Sequence, residues 1–98
     1  MKIAIIIPVY NEAQVIKKTL LDLKKYFKTK KLKNIDLVVV DDGSIDNSGQ
    51  LALTHANYLL THKKNCGLGA ALATGIEFAK RNNYDFCVTF DSDGQHDP

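Results

Sequence analysis

Apolar residues fall along the chain in four short blocks, and the stretches between them repeat with a helical period. Residues 2–9 read KIAIIIPV, a nearly unbroken apolar run rich in β-branched side chains. Such a run predicts a strand covered on both faces of a parallel sheet, and Pro8 is expected to stop it. Asn11 stands where a helix cap belongs, and Gln14 three positions on completes a capping-box-like pair. Ala13, Ile16, Leu20, Leu23 and Phe27 then recur at spacings of 3, 4, 3 and 4, while Lys17, Lys18, Lys24, Lys25 and Lys28 take the other faces. That spacing predicts an amphipathic helix.

The pattern repeats. Residues 37–40 form a second apolar strand, followed by Asp41, Asp42, Gly43, Ser44 and a weaker helical stretch near residues 48–55. Residues 58–61 form a third, followed by Asn65, Cys66, Gly67, Leu68, Gly69 and a helix over residues 70–81 with Leu72, Ile76 and Ala79 on its inner face. Residues 86–90 read as a buried fourth strand that delivers Asp91, Ser92 and Asp93. Strands alternating with crossover helices in the order βαβαβαβ predict an α/β fold with a mainly parallel, Rossmann-like sheet. In such sheets ligands bind beyond the carboxyl ends of the strands. Each polar cluster follows a strand, so the clusters are expected to converge on one edge.

Composition narrows the picture. A chain of 98 residues, 45% hydrophobic, suits one small domain. Its 24% charged residues and low counts of Gly, Pro and Cys exclude collagen-like, disordered and disulfide-scaffold classes. No apolar run approaches the roughly 18–20 residues of a membrane span, and residues 3–9 lack a signal-peptide cleavage pattern. A soluble, cytoplasmic chain is the expectation. Cys66 and Cys87 stand 21 positions apart without a CxxC pair, so reduced thiols are expected rather than metal ligands. The net charge of +2 hides an asymmetry: residues 1–33 carry nine Lys against Glu12 and Asp22, and residues 34–98 carry four basic residues against nine acids. A uniformly basic nucleic-acid binder does not look like this. The Lys-rich stretch 17–33 reads as a solvated helix face, with attraction to an anionic membrane surface as the alternative.

The acids carry the candidate chemistry. Asp91, Ser92, Asp93, Gly94, Gln95 and His96 bring two carboxylates, an amide and an imidazole into one short segment. Asp91 and Asp93 are two apart, so in extended backbone they project to the same side. They repel unless a cation joins them, and hard oxygen donors suit Mg²⁺ or Mn²⁺. Such an ion can bridge the phosphates of a nucleotide; a solvated turn is the plain alternative. The segment from Asp41 to Ser44 is either a turn with a helix cap or a carboxylate that accepts from a base N–H or a ribose hydroxyl. Glu12 can reach a ribose or serve as a first-turn acid. The Gly67/Gly69 loop lacks the third glycine of GxGxxG, because position 72 is Leu, so a flexible loop or a close backbone approach is preferred to a dinucleotide site. His55 and His62 have no partners at metal spacing and read as surface or loop histidines. His96 gains interest only from its neighbours.

Taken together, residues 6–12 (IIPVYNE), 39–44 (VVDDGS), 65–71 (NCGLGAA) with Gly75, and 90–96 (FDSDGQH) resemble the family 2 glycosyltransferases of the GT-A fold. The ending DGQHDP is similar to the branch containing dolichol-phosphate mannose synthases and related polyprenyl-phosphate glycosyltransferases. The resemblance implies inverting transfer of a sugar from a GDP- or UDP-sugar to an acceptor such as a polyprenyl phosphate. It makes residues 1–98 the donor-binding, GT-A nucleotide-binding half of a domain cut after its DxD motif. By position it implies that Pro8, Tyr10 and Glu12 line the base and ribose site, and that Asp42 accepts from the base. Asp91 and Asp93 would be the DxD that holds metal and diphosphate, with Gln95 as a further ligand to Mg²⁺ or Mn²⁺. The general base is implied beyond Pro98, so no catalytic residue is assigned here. A lipid-linked acceptor implies a place at the cytoplasmic face of a membrane, and an uncovered fourth strand carrying Val88 and Phe90 implies self-association. Two other classes share part of this pattern. A haloacid-dehalogenase-type phosphatase also shows a strand followed by DxDG, but after its first strand and with Thr or Val where this chain has Gln95. The other is a non-catalytic nucleotide-binding module.

Overall fold

The computed structural model describes residues 1–91. Its elements alternate as β1 (Ile3–Val9), α1 (Ala13–Thr29), β2 (Ile35–Asp41), α2 (Ser48–His55), β3 (Tyr58–Thr61), α3 (Leu68–Arg81) and β4 (Phe86–Thr89). The strands form one sheet in the order β3-β2-β1-β4 with every neighbouring pair parallel. The predicted order and fold class are the observed ones. From β3 the order runs back to β1 and then jumps to β4 on the other side. The carboxyl ends of β1 and β4 therefore flank the switch point at which such sheets take their ligands.

β1 and residues 37–40 of β2, the two central strands, are apolar because both faces are covered. Ile7, Val9, Leu37 and Val39 pack against Ile16 and Leu20 of α1 and Ala52 of α2, while Ala4, Ile6, Val38 and Val40 pack against Ala71 and Ala79 of α3. Leu23 and Phe27 extend the first cluster, so the predicted stripe of α1 is the face it buries.

Several expectations are corrected. Pro8 does not stop β1; it lies inside the strand, opposite Val40. Phe90 N–H to Ile6 O, at 2.9 Å, closes the β4 side of β1. Pro8 is two residues further on the same side, past the end of the β1–β4 ladder, where no N–H is demanded of it. Asn11 and Gln14 do not cap α1. The N-cap is Glu12, with no cap from its own side chain, and Asn11 adopts φ 51°, a left-handed conformation Asn tolerates. The first helical N–H, that of Ala13, is instead accepted by Asp46 Oδ2 at 3.2 Å from the loop after β2. In α3 Ala79 and, partly buried, Leu72 pack on the core as expected, but the fully buried positions are Ala71, Gly75 and Ala79, and Ile76 is 44% exposed. A methyl added at Gly75 would stand 2.2 Å from Ile6 Cγ2, so small residues set how closely the helix seats. Finally, β4 ends at Thr89 and is not buried: Phe86 and Val88 are 56% and 51% exposed on the sheet edge.

Candidate functional site

At the carboxyl ends of β1, β2 and β4 lies an open cavity of about 910 Å³. Pro8, Tyr10, Glu12, Asp42 and Asp91 all line it, joined by Asp46, Asn47, Asn65, Gly67, Leu68 and Ala71. The fold thus brings together the five positions singled out for a nucleotide, which are scattered over 84 residues of chain. Asp93 and Gln95, the other proposed metal ligands, lie outside the described residues, as does His96. Of the proposed ligand set only Asp91 is described; it is exposed at the cavity rim, an oxygen donor of the hard type that suits Mg²⁺ or Mn²⁺.

Two loops build the floor by lacing to each other. Asn11 N–H donates to Ser44 Oγ at 2.9 Å, and Ile45 N–H returns to Asn11 Oδ1 at 2.9 Å. Glu12 N–H donates to Ser48 Oγ at 2.8 Å. Asp46 ties the joint together, accepting from Ala13 N–H and from the N–H and hydroxyl of Ser48. Partial burial opposes its ionisation, but these donors outweigh that and hold its carboxyl below the usual carboxylate range. Glu12 turns back on its own loop, its Oε1 accepting from Tyr10 N–H at 3.4 Å. Tyr10 is 46% exposed and presents its ring at the mouth.

The adjacent acids at the end of β2 divide the two roles the sequence left open. Asp41 is the turn residue, its Oδ1 accepting from Ser44 N–H at 3.0 Å. Gly43 at φ +77° belongs to that turn, and a Cβ there would meet the Lys64 carbonyl carbon at 2.4 Å. The close backbone approach thus lies at Gly43 rather than at Gly67, where a Cβ would meet nothing within 4 Å. Asp42 faces the cavity, only 4% exposed. Its Oδ1 accepts from His62 Nδ1 at 2.7 Å and Cys66 N–H at 2.9 Å, and its Oδ2 from Gly67 N–H at 2.9 Å. Burial opposes its charge, yet these bonds and the imidazole hold its carboxyl below the usual range. Gly67 N–H thus serves Asp42, and the Gly loop is an anchor rather than an open phosphate cradle.

His62 is the correction of most consequence. It lies in the loop after β3, as one of the two expected readings had it, but not at the surface: it is half-buried between Asp42 and Thr74, with Nε2 2.8 Å from Thr74 Oγ1. Asp42, His62 and Cys66 bring potential ligand atoms within 4.8 Å of one another. The imidazole already joins the carboxylate, however, and Cys66 Sγ donates to Lys64 O at 3.3 Å, so the trio serves as a hydrogen-bonded loop anchor. Both thiols are free and exposed. His62, Asp46, Asn47 and Asn65 were not foreseen at the site. The polar follow-on to β2 and β3 was the available signal for Asp46, His62 and Asn65; nothing local pointed to the pairing of His62 with Asp42.

Among the described residues no helix is long and apolar enough to cross a membrane. The sequence matches the family model described as glycosyl transferase family 2 over residues 4–98. It is 32% identical to a UDP-N-acetylglucosamine–dolichyl-phosphate N-acetylglucosaminyltransferase of Methanococcus voltae, over 98% of this chain and 43% of that one. It is 34% identical to an undecaprenyl-phosphate mannosyltransferase of Micrococcus luteus, over 100% of this chain and 40% of that protein. The chain therefore spans about two fifths of the length of these curated relatives. Among solved structures, a mannosyltransferase from Pyrobaculum calidifontis in complex with GDP-Man and Mn²⁺ superposes with a TM-score of 0.73 at 28% identity, over 94% of this chain and 27% of that one. Mannosyl-3-phosphoglycerate synthase from Rubrobacter xylanophilus shares the fold with a TM-score of 0.81 at 15% identity, over 100% of this chain and 32% of that chain. The expected GT-A architecture is the one these neighbours display.

Proposed function

The chain belongs to glycosyl transferase family 2, and on that premise we propose that its cavity binds the nucleotide of a GDP- or UDP-sugar whose sugar is transferred, with inversion, to a polyprenyl phosphate. Family membership displaces the phosphatase alternative, and in the fold Asp91 follows the edge strand β4 rather than the first strand. The observation that carries the reading is the cavity at the β1–β4 switch point, with a buried, ionised carboxylate in its wall and an exposed one at its rim.

Each residue has a task in this reading. Asp42 accepts an N–H of the base, and the Tyr10 ring offers a face on which the base stacks. Pro8 and Glu12 bound the ribose, Glu12 as an acceptor for its hydroxyls. Asp91, with Asp93 and Gln95 outside the described residues, holds Mg²⁺ or Mn²⁺. When bound, that ion supplies charge neutralisation for the departing nucleotide diphosphate. Support for the metal comes from the Mn²⁺ named with the Pyrobaculum neighbour, and support for a lipid-linked acceptor from the two polyprenyl-phosphate relatives. The basic stretch of α1 and the turn after it is compatible with a membrane-surface location for such an acceptor.

The test is donor-dependent transfer by the full-length protein that carries residues 1–98, since the general base is implied beyond Pro98 and these residues alone are expected to be inactive. GDP-mannose and UDP-N-acetylglucosamine are each supplied with a short-chain polyprenyl phosphate, with Mn²⁺ or with EDTA. Metal-dependent formation of a sugar-lipid from either donor is the expected result. Failure of both nucleotides to bind with Mn²⁺ present would remove the reading.

A further inference from the structure

Asp42 is held by more than its loop. His62 is fixed first through its backbone, whose N–H donates to Asp41 O at 2.9 Å, and its ring then spans from the end of β2 to the second turn of α3. Nδ1 faces an ionised carboxylate and so carries a proton, while Thr74 meets Nε2 at 2.8 Å and fixes the rotation of the ring. The loop between them hangs its Cys66 and Gly67 N–H groups on the same carboxylate. Three donors fill three of the roughly four acceptor positions of a carboxylate, which leaves capacity for one donor from the cavity.

We infer that His62, oriented by Thr74, is the positioning residue of the donor site: it holds the Asp42 carboxylate in place to accept an N–H of the nucleotide base. The inference rests on the nucleotide reading of the cavity and goes beyond it, because His62 does not line the cavity. The physical reason is burial. A charged carboxylate withdrawn from water survives only while its acceptor positions are filled. With the imidazole gone, Oδ1 keeps a single donor, and Asp42 takes up a proton more readily or swings away. A protonated carboxyl has an O–H to place and is a poor acceptor for a base N–H. The effect therefore falls on the base and spares the ribose phosphate.

Three variants of the full chain separate this role from general support. His62→Asn keeps an amide donor near the position of Nδ1. His62→Gln carries its amide toward Thr74 and loses the bond to Asp42. Thr74→Val keeps the shape of the threonine and removes the hydroxyl. Dissociation constants are measured for UDP and GDP, with ribose 5-phosphate as the comparator that lacks a base, and thermal melts are recorded for every variant. His62→Gln should weaken the preferred nucleotide about tenfold, as the loss of one hydrogen bond to a charged group does. Thr74→Val should weaken it about threefold, His62→Asn should bind close to the unaltered chain, and ribose 5-phosphate should bind all four proteins alike. Unchanged nucleotide binding in His62→Gln overturns the role, as does an equal loss for ribose 5-phosphate or an equal loss in His62→Asn. If His62→Gln fails to fold, Thr74→Val decides by the same comparison. Absence of nucleotide binding by the unaltered chain, a different result, overturns the nucleotide reading and the role with it.

Discussion

Gly75 of α3 lies directly on Ile6 of β1, with no room for a single added methyl group: a Cβ at Gly75 would stand 2.2 Å from Ile6 Cγ2 and 3.3 Å from Val40 Cγ2. The contact sets the seat of the helix whose first turn, with Leu68 and Ala71, walls the cavity. Gly75→Ala gains helix propensity but overpacks the core, and overpacking dominates, so a loss of about 1–3 kcal/mol is expected. Urea denaturation measures it. An unchanged midpoint would mean that α3 slides away at no cost.

Asp46 caps a helix 33 residues away in sequence, through Ala13 N–H. Asp46→Ala leaves that N–H and Ser48 without their acceptor, and a loss of about 1 kcal/mol is expected from the cap. Asp46→Asn, which keeps one acceptor oxygen, should recover part of it. Thermal melts at neutral pH give both values.

Asp42 and Asp46 both ionise more readily in the folded chain than carboxyls ordinarily do. A depressed folded-state value means that the unfolded chain binds the proton first, so their stabilisation is present above the ordinary carboxylate range and is lost as pH falls through the folded-state values. The melting temperature should therefore decline as pH drops from about 5 to about 2. Asp46→Ala should flatten that decline. A melting temperature independent of pH over this range would contradict the assignment of both groups.

Tyr10 offers its ring at the cavity mouth. If the base stacks there, Tyr10→Ala should raise KM for the donor about tenfold, in line with stacking worth about 1–3 kcal/mol per base, while Tyr10→Phe should be nearly silent. Asp91→Asn should abolish the advantage that Mn²⁺ gives nucleotide binding over EDTA. Calorimetric titration reads the second effect directly. Equal affinity with and without metal in the unaltered chain would remove Asp91 from the metal site.

Residues 1–98 on their own should self-associate. Phe86 and Val88 are exposed along β4, which lies at the sheet edge, and an uncovered apolar strand edge invites pairing with another copy. Sedimentation velocity decides this, and a stable monomer at tens of micromolar would count against it.

Element order and the buried stripe of α1 were legible in the sequence because they depend on local periodicity, and strand parallelism because a crossover helix separates each strand from the next. A continuous β-branched run such as residues 3–9 has few alternatives, and Ile16 and Leu20 fall on one face whatever surrounds them. The gathering of Tyr10, Glu12, Asp42 and Asp91 was legible for a related reason: in a parallel sheet, whatever follows a strand emerges at the same edge. What only the tertiary structure decided were the relations set by distances between elements. The periodicity of α3 placed Leu72 and Ala79 on the core side but also nominated Ile76, whereas the helix sits so close to β1 that Gly75 takes the central buried position and Ile76 is left exposed. Asn11 had the local chemistry of a cap and lost the place to Asp46, which the lacing of two loops delivers to Ala13. His62 follows β3 and so emerges at the same edge, but its pairing has no local signature: its partners stand 20 and 12 residues away, and they meet because β3 lies beside β2 while α3 packs on the face of the sheet. Sequence alone names the groups that can do chemistry; which of them hold one another in place depends on packing distances that no local pattern encodes.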